Sequence, residues 1–197
     1  MLRRALEDSR ALLDTLLADD QAQDRFARAV DALVETFTGG GGGGKVLACG
    51  NGGSACDAMH FCEELTGRFR ADRPPLPAIA CVDPGHITCV GNDYGFEEVF
   101  SRWVRALGRP GDTLVLLSTS GNSENAVRAA AAGREGGLRT LALLGNDGGR
   151  LVGQCDIEWI VGGGGGGGAT ADRIQEIHML ILHTLIEGVE DRLGYRS

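Results

Sequence analysis

The sequence has no run of Lys or Arg, no CxxC pair and no uninterrupted apolar stretch of membrane-spanning length. Each absence excludes something. Without a basic run, and with a net charge of −8, most of the surface repels a polyanion, so a nucleic-acid groove is excluded and any bound phosphate has to be gripped locally. The six cysteines (Cys49, Cys56, Cys62, Cys81, Cys89 and Cys155) lack redox-motif spacing. Most of them stand in apolar or helical contexts, where a thiol behaves as a small hydrophobe and a reduced, cytoplasmic chain is expected. Charges interrupt the apolar positions of "MLRRALEDSRALLDTLLADD", so this segment is expected to be neither a secretory signal nor a membrane span.

What is there suffices for one core. A chain of 197 residues, 43% of them hydrophobic, supports a single domain over 1–197. Leu2, Ala5, Leu12, Leu13, Leu16 and Leu17, then Phe26, Ala29, Val30, Leu33, Val34 and Phe37, recur at helical spacing around a break at "ADD". They predict two amphipathic helices within 1–38, whose apolar stripes are expected to serve subunit packing.

Five short apolar runs follow, at 45–49, 76–81, 112–118, 139–145 and 156–161. Their continuity, with helical segments at 54–66, 96–107 and 122–136 and a long helix at 170–193, predicts an α/β fold: a doubly wound five-stranded parallel sheet flanked by helices. Two glycine runs, 39–44 and 162–168, hold 13 of the 32 glycines and read as connectors. The first ends in Lys45, but Val46 follows where a phosphate-binding P-loop needs Ser or Thr and then a helix.

Two loops carry candidate chemistry. In "CGNGGSA" the glycines at 50, 52 and 53 allow a sharp turn from strand into helix. Ala55 stands where a dinucleotide fingerprint would need its third glycine. Taken alone the loop is either a structural turn or half of a site. "STSGNSENA", 118–126, supplies hydroxyls at Ser118, Thr119, Ser120 and Ser123 before another helix. Hydroxyls and free N–H groups at a helix start form a neutral anion socket, and ordinary capping would need only one of them. At the carboxyl ends of parallel strands, both loops are expected to face one crevice.

His60 and Glu64 share a helix face, at i and i+4. Gln175, His178 and His183 interrupt an otherwise apolar helix, where polar side chains need partners. His178 and His86 receive the plainer reading, as a satisfied helix residue and as a residue at the pocket rim.

Together, "GNGGSACDAMHFCEELTGRF", "AIACVDPGHITCVGNDYGFEEVFSRWVRALGRPGD", "STSGNSENA" and "ADRIQEIHMLILH" resemble the sugar isomerase (SIS) fold and, within it, the phosphoheptose isomerase family. The resemblance implies conversion of D-sedoheptulose 7-phosphate to D-glycero-D-manno-heptose 7-phosphate, the first step toward the heptose of bacterial surface polysaccharide, in cytoplasmic homotetramers with active sites near subunit interfaces. It implies one zinc per subunit, held by His60, Glu64, Gln175 and His183, with Glu64 and His183 as the acid/base pair. Implied substrate contacts are Asn51, Gly52, Gly53, Ser54, Glu64, Arg68, Asn92, Asp93, Ser118, Thr119, Ser120, Ser123 and Gln175. The alternative is a non-catalytic regulator or sugar-phosphate sensor on the same fold, although such relatives tend to lose the acid/base and metal set that is present here. One tension is geometric. Gln175 and His183 are eight residues apart, about 12 Å along a straight helix, too far for both to reach one zinc at about 2.1 Å. The expectation is a site completed across a subunit interface, or a helix irregular near Gln175.

Overall fold

The computed structural model describes residues 1–39, 43–162 and 168–195. The inner parts of both glycine runs, 40–42 and 163–167, lie outside the described residues, as does the expectation that they act as connectors. The chain opens with two helices, α1 (Leu2–Leu17) and α2 (Ala22–Thr38). The α/β core follows as β1 (Val46–Gly50), α3 (Gly53–Thr66), β2 (Ala78–Ala80), α4 (Pro84–Asp93) and α5 (Val99–Leu107). It continues through β3 (Thr113–Ser118), α6 (Glu124–Glu135), β4 (Arg139–Gly145) and β5 (Ile157–Val161) to α7 (Ala171–Arg192).

All strand pairs are parallel, in the order β2-β1-β3-β4-β5. The central strands β1 and β3 are buried along their whole length, which is why they read as continuous apolar runs rather than alternating ones. Alternation reappears as a division of labour between the two faces. Val46, Ala48, Val115, Leu117, Leu141 and Leu143 pack in one core with residues of α1, α2, α3 and α7. Leu47, Cys49, Leu114, Leu116, Ala142 and Leu144 pack in the other with α4, α5 and α6. The order reverses between β1 and β3, and the crevice outside the carboxyl ends of those strands is where such sheets take ligands.

Helix α2 buries Ala29, Val30, Ala32 and Leu33 within its own chain, whereas α1 buries only Leu12 and leaves Leu2, Leu6 and Leu17 exposed.

Two elements differ from the sequence expectation. The helix expected at 96–107 begins as a 3-10 turn, Phe96–Glu98, before α5. Helix α4 was not anticipated: Gly85, Gly91 and the β-branched Ile87, Thr88 and Val90 weaken its local signal. Its start nevertheless carries one, with Asp83 accepting a hydrogen bond from the His86 N–H at 2.7 Å and Pro84 in the first turn.

Candidate functional site

The two loops meet at the point where the strand order reverses. Asn51, after β1, and Asn125, in the first turn of α6, exchange two amide hydrogen bonds of 2.9 Å each. Gly52 caps the start of α3, and Ser54 is buried in its first turn. In the serine loop, the Ser118 hydroxyl accepts from the Gly121 N–H at 3.0 Å and the Ser120 hydroxyl from the Asn122 N–H at 3.2 Å. Gly121 adopts φ +61, and a Cβ there would lie 1.8 Å from the Gly148 carbonyl oxygen, so no other residue fits this turn. Ser123 occupies the N-cap of α6, yet its hydroxyl makes no cap hydrogen bond. The helix start is thus set up to meet an anion.

The second half of the site lies between α3 and α7. His60 Nε2 and Glu64 Oε1 are 3.2 Å apart. The His183 ring stands edge-on to His60 at 5.1 Å and stacks on Phe69 at 5.5 Å. One ligand atom from each of His60, Glu64 and His183 lies within 4.8 Å of the others. His183 Nε2 is buried without a hydrogen-bond partner. Burial, and then the neighbouring His60, hold the His183 imidazole below its ordinary pKa, against the pull of Glu64. Neutral imidazole is the form that binds a metal, and two imidazoles with a carboxylate are a donor set suited to zinc. The residues fit the ion.

Gln175 occupies a different place in the same chain. Its side-chain amide lies against Gly53, where a Cβ would come within 2.4 Å of Nε2. Gly53 begins α3, seven residues before His60, so Gln175 borders the glycine loop, and it shares with His183 the lining of one groove. Helix α7 is continuous from Ala171 to Arg192, and the irregular-helix alternative has no counterpart there. Asn92 and Asp93 are exposed at the end of α4, bonded to each other at 2.7 Å. Arg68 is exposed just beyond α3.

Three residues near the site had not been singled out in the sequence. Asn125 lies within the serine motif but reads there as a helix residue. Phe69 follows the end of α3 with no spacing signal. Asp57 precedes His60 by one turn; it lines a groove with Gln175 and His183, and its Oδ2 is buried and unpartnered. Burial raises its pKa to about 6, opposed by the charge of His60. Of the plainly read histidines, His86 bonds the Val99 carbonyl at 2.9 Å. His178 is fully buried with Nε2 on the Leu144 carbonyl at 3.1 Å, and its Nδ1 has no partner.

An open parallel sheet with glycine-rich and hydroxyl-rich loops facing each other across β1 and β3 has the architecture of a SIS domain, and the SIS domain family model matches residues 6–145. Closer relatives narrow the assignment. The chain is 50% identical over 193 residues to a phosphoheptose isomerase of Escherichia coli O7:K1, covering 98% of this chain and 97% of that protein. Solved phosphoheptose isomerases from Francisella tularensis (TM-score 0.85, 96% of each chain) and Neisseria gonorrhoeae (TM-score 0.80, 96% of this chain and 95% of that one) are each 36% identical to it. The chain belongs to the phosphoheptose isomerase family.

Proposed function

We propose that the chain is the isomerase that converts D-sedoheptulose 7-phosphate to D-glycero-D-manno-heptose 7-phosphate in bacterial heptose biosynthesis. The observation that carries this reading is the convergence of His60, Glu64 and His183 within 4.8 Å, in a chain 50% identical to a phosphoheptose isomerase.

The reaction takes a proton from C1 of the ketose and returns one to C2 through an enediol, while a proton moves between the two oxygens. Asn51, Gly52, Gly53 and Ser54, with Ser118, Thr119, Ser120 and Ser123, grip the sugar phosphate through backbone N–H groups and hydroxyls, the neutral means open to an acidic protein. Arg68, Asn92 and Asp93 complete the substrate contacts. Glu64 and His183 hold and exchange the protons, and the partial burial of both limits competition from water. Zinc, one per subunit, would be held by His60, Glu64 and His183 with Gln175 as fourth ligand, and would supply a Lewis acid for the oxygen on which charge develops.

Within one chain Gln175 borders Gly53. In this reading it contacts substrate there, and the Gln175 that reaches zinc belongs to a neighbouring copy, which makes the homotetramer part of the site. The exposed leucines of α1 offer that assembly an apolar surface. Six free cysteines agree with a cytoplasmic setting, and among the described residues no helix is long and apolar enough to cross a membrane.

The test is an assay of purified protein with sedoheptulose 7-phosphate, before and after chelation and again with zinc restored. Activity that disappears with the chelator and returns with zinc is expected. A zinc-loaded protein that binds the substrate and does not turn it over would overturn the reading in favour of a sensor or regulator.

A further inference from the structure

The helices that carry the metal-binding residues are tied together by a buried ion pair outside the site. Arg73 lies in the segment between α3 and β2, its side chain 1% exposed. Its Nε donates to Glu190 Oε1 on α7 at 2.8 Å, and the Glu190 side chain is 4% exposed. The two remaining nitrogens turn to α3: Nη2 donates to the Glu64 carbonyl at 2.6 Å, and Nη1 to the Leu65 carbonyl at 2.7 Å and to Pro74 at 3.1 Å. One planar cation thereby bonds two of the last carbonyls of α3, of which Leu65 also accepts from the Leu76 N–H at 2.9 Å, places positive charge at that helix's negative pole, and holds a carboxylate of α7.

Such a pair is poor ground for stability, because two apolar side chains of similar volume often serve as well or better. What a rigid fork adds is fixed geometry. Here it grips the backbone of Glu64 itself. On α7 it grips a residue two turns beyond His183, about 10 Å along the helix.

We infer that Arg73 and Glu190 are positioning residues that set the register of α3 against α7, and so the approach of Glu64 and His60 to His183. The inference rests on the reading of those three side chains as zinc ligands; the pair bonds the main chain of Glu64 and none of the three ligand side chains.

The test replaces the pair by apolar residues, Arg73→Met with Glu190→Leu, beside Glu190→Gln, which keeps an acceptor for Nε. Melting temperature, zinc affinity by titration of the metal-free protein, and kcat and KM are measured on each. The double variant is expected to melt within a few degrees of wild type, to bind zinc about 10- to 100-fold more weakly, the range seen when groups supporting metal ligands are removed, and to lose kcat with KM little changed. Glu190→Gln is expected to melt lower, because it leaves the buried Arg73 charge without its counter-charge, while zinc affinity and kcat stay near wild type because the acceptor for Nε is kept. A folded double variant with wild-type zinc affinity and kcat would overturn the inference. Should the double variant not fold, Arg73→Lys keeps the charge and loses the fork, and wild-type zinc affinity in that folded variant would overturn it equally. Wild-type protein that takes up no zinc would sink the metal reading instead. The clamp is then decided by crystal structures of the metal-free double variant or of Arg73→Lys: a lost His60–His183 ring contact supports it, and a retained one overturns it.

Discussion

Asn51 and Asn125 hold each other through two amide hydrogen bonds of 2.9 Å, joining the turn after β1 to the first turn of α6 across the crevice. Neither loop has another hydrogen bond to the other among the described residues. Asn125 is 2% exposed, so Asn125→Ala leaves the Asn51 amide half-buried without its partner, at a cost of about 1–3 kcal/mol. The melting temperature is expected to fall. KM for the sugar phosphate is expected to rise more than kcat falls, since the pair joins the two loops proposed to grip the phosphate and stands apart from the proposed acid/base groups. An unchanged KM would argue that the two loops hold their places without this bridge.

Gly53 separates packing from chemistry. Its missing Cβ leaves room for the Gln175 amide, which would stand 2.4–2.8 Å from a methyl group placed there. The atoms that would have to give way are the far end of a flexible side chain, so Gly53→Ala is expected to change stability by less than about 1 kcal/mol. The displaced Gln175 amide is expected to weaken substrate binding by several-fold. Melting curves and KM on the same preparation check both halves.

His178 predicts a pH dependence of stability. Burial pushes its imidazole down to about 4, with the hydrogen bond to Leu144 acting the other way. An unfolded chain takes up this proton near pH 6.5, while the folded one refuses it until about pH 4. The unfolded state therefore binds more protons across that window, and stability rises with pH through it. Acidification from pH 6.5 to pH 4 is expected to remove up to about 3 kcal/mol through this one residue. Urea unfolding of metal-free protein at several pH values measures the slope, and His178→Gln is expected to flatten it.

Asp57 has the opposite sign. With its folded pKa raised to about 6 from 3.8, the native state holds this proton more tightly than the unfolded one, and its contribution to stability falls as pH rises from about 4 to 6. Above that range a carboxylate oxygen is charged, buried and unpartnered. Asp57→Asn is accordingly expected to raise the melting temperature of metal-free protein at pH 8, with the gain shrinking toward zero near pH 4. A gain independent of pH would place the cause in packing rather than charge.

The residues proposed to do chemistry stand out in the sequence because local rules expose them. His60 and Glu64 sit four apart on one helix, and hydroxyls and glycines crowd the ends of two apolar strands; both patterns are complete within a dozen residues. The fold was legible for the same reason: strands buried on both faces have to be apolar throughout, and crossovers long enough to return the chain read as helices. Local rules failed where the decisive partner is distant. Helix α4 forms despite glycines and β-branched residues because tertiary packing outweighs propensity. Asn125 looks like any helix residue until β1 brings Asn51 beside it. Gln175 and His183 share one helix, and the spacing alone says only that they cannot meet at one ion. Their neighbours in this chain, Gly53 for one and His60 for the other, were decided by the parallel packing of α7 on α3. By itself the sequence determined which side chains are available and which faces they occupy, since periodicity and capping act over a few residues. Only the tertiary structure decided which of them meet, because contacts between residues more than a hundred positions apart are set by how two cores pack against one sheet.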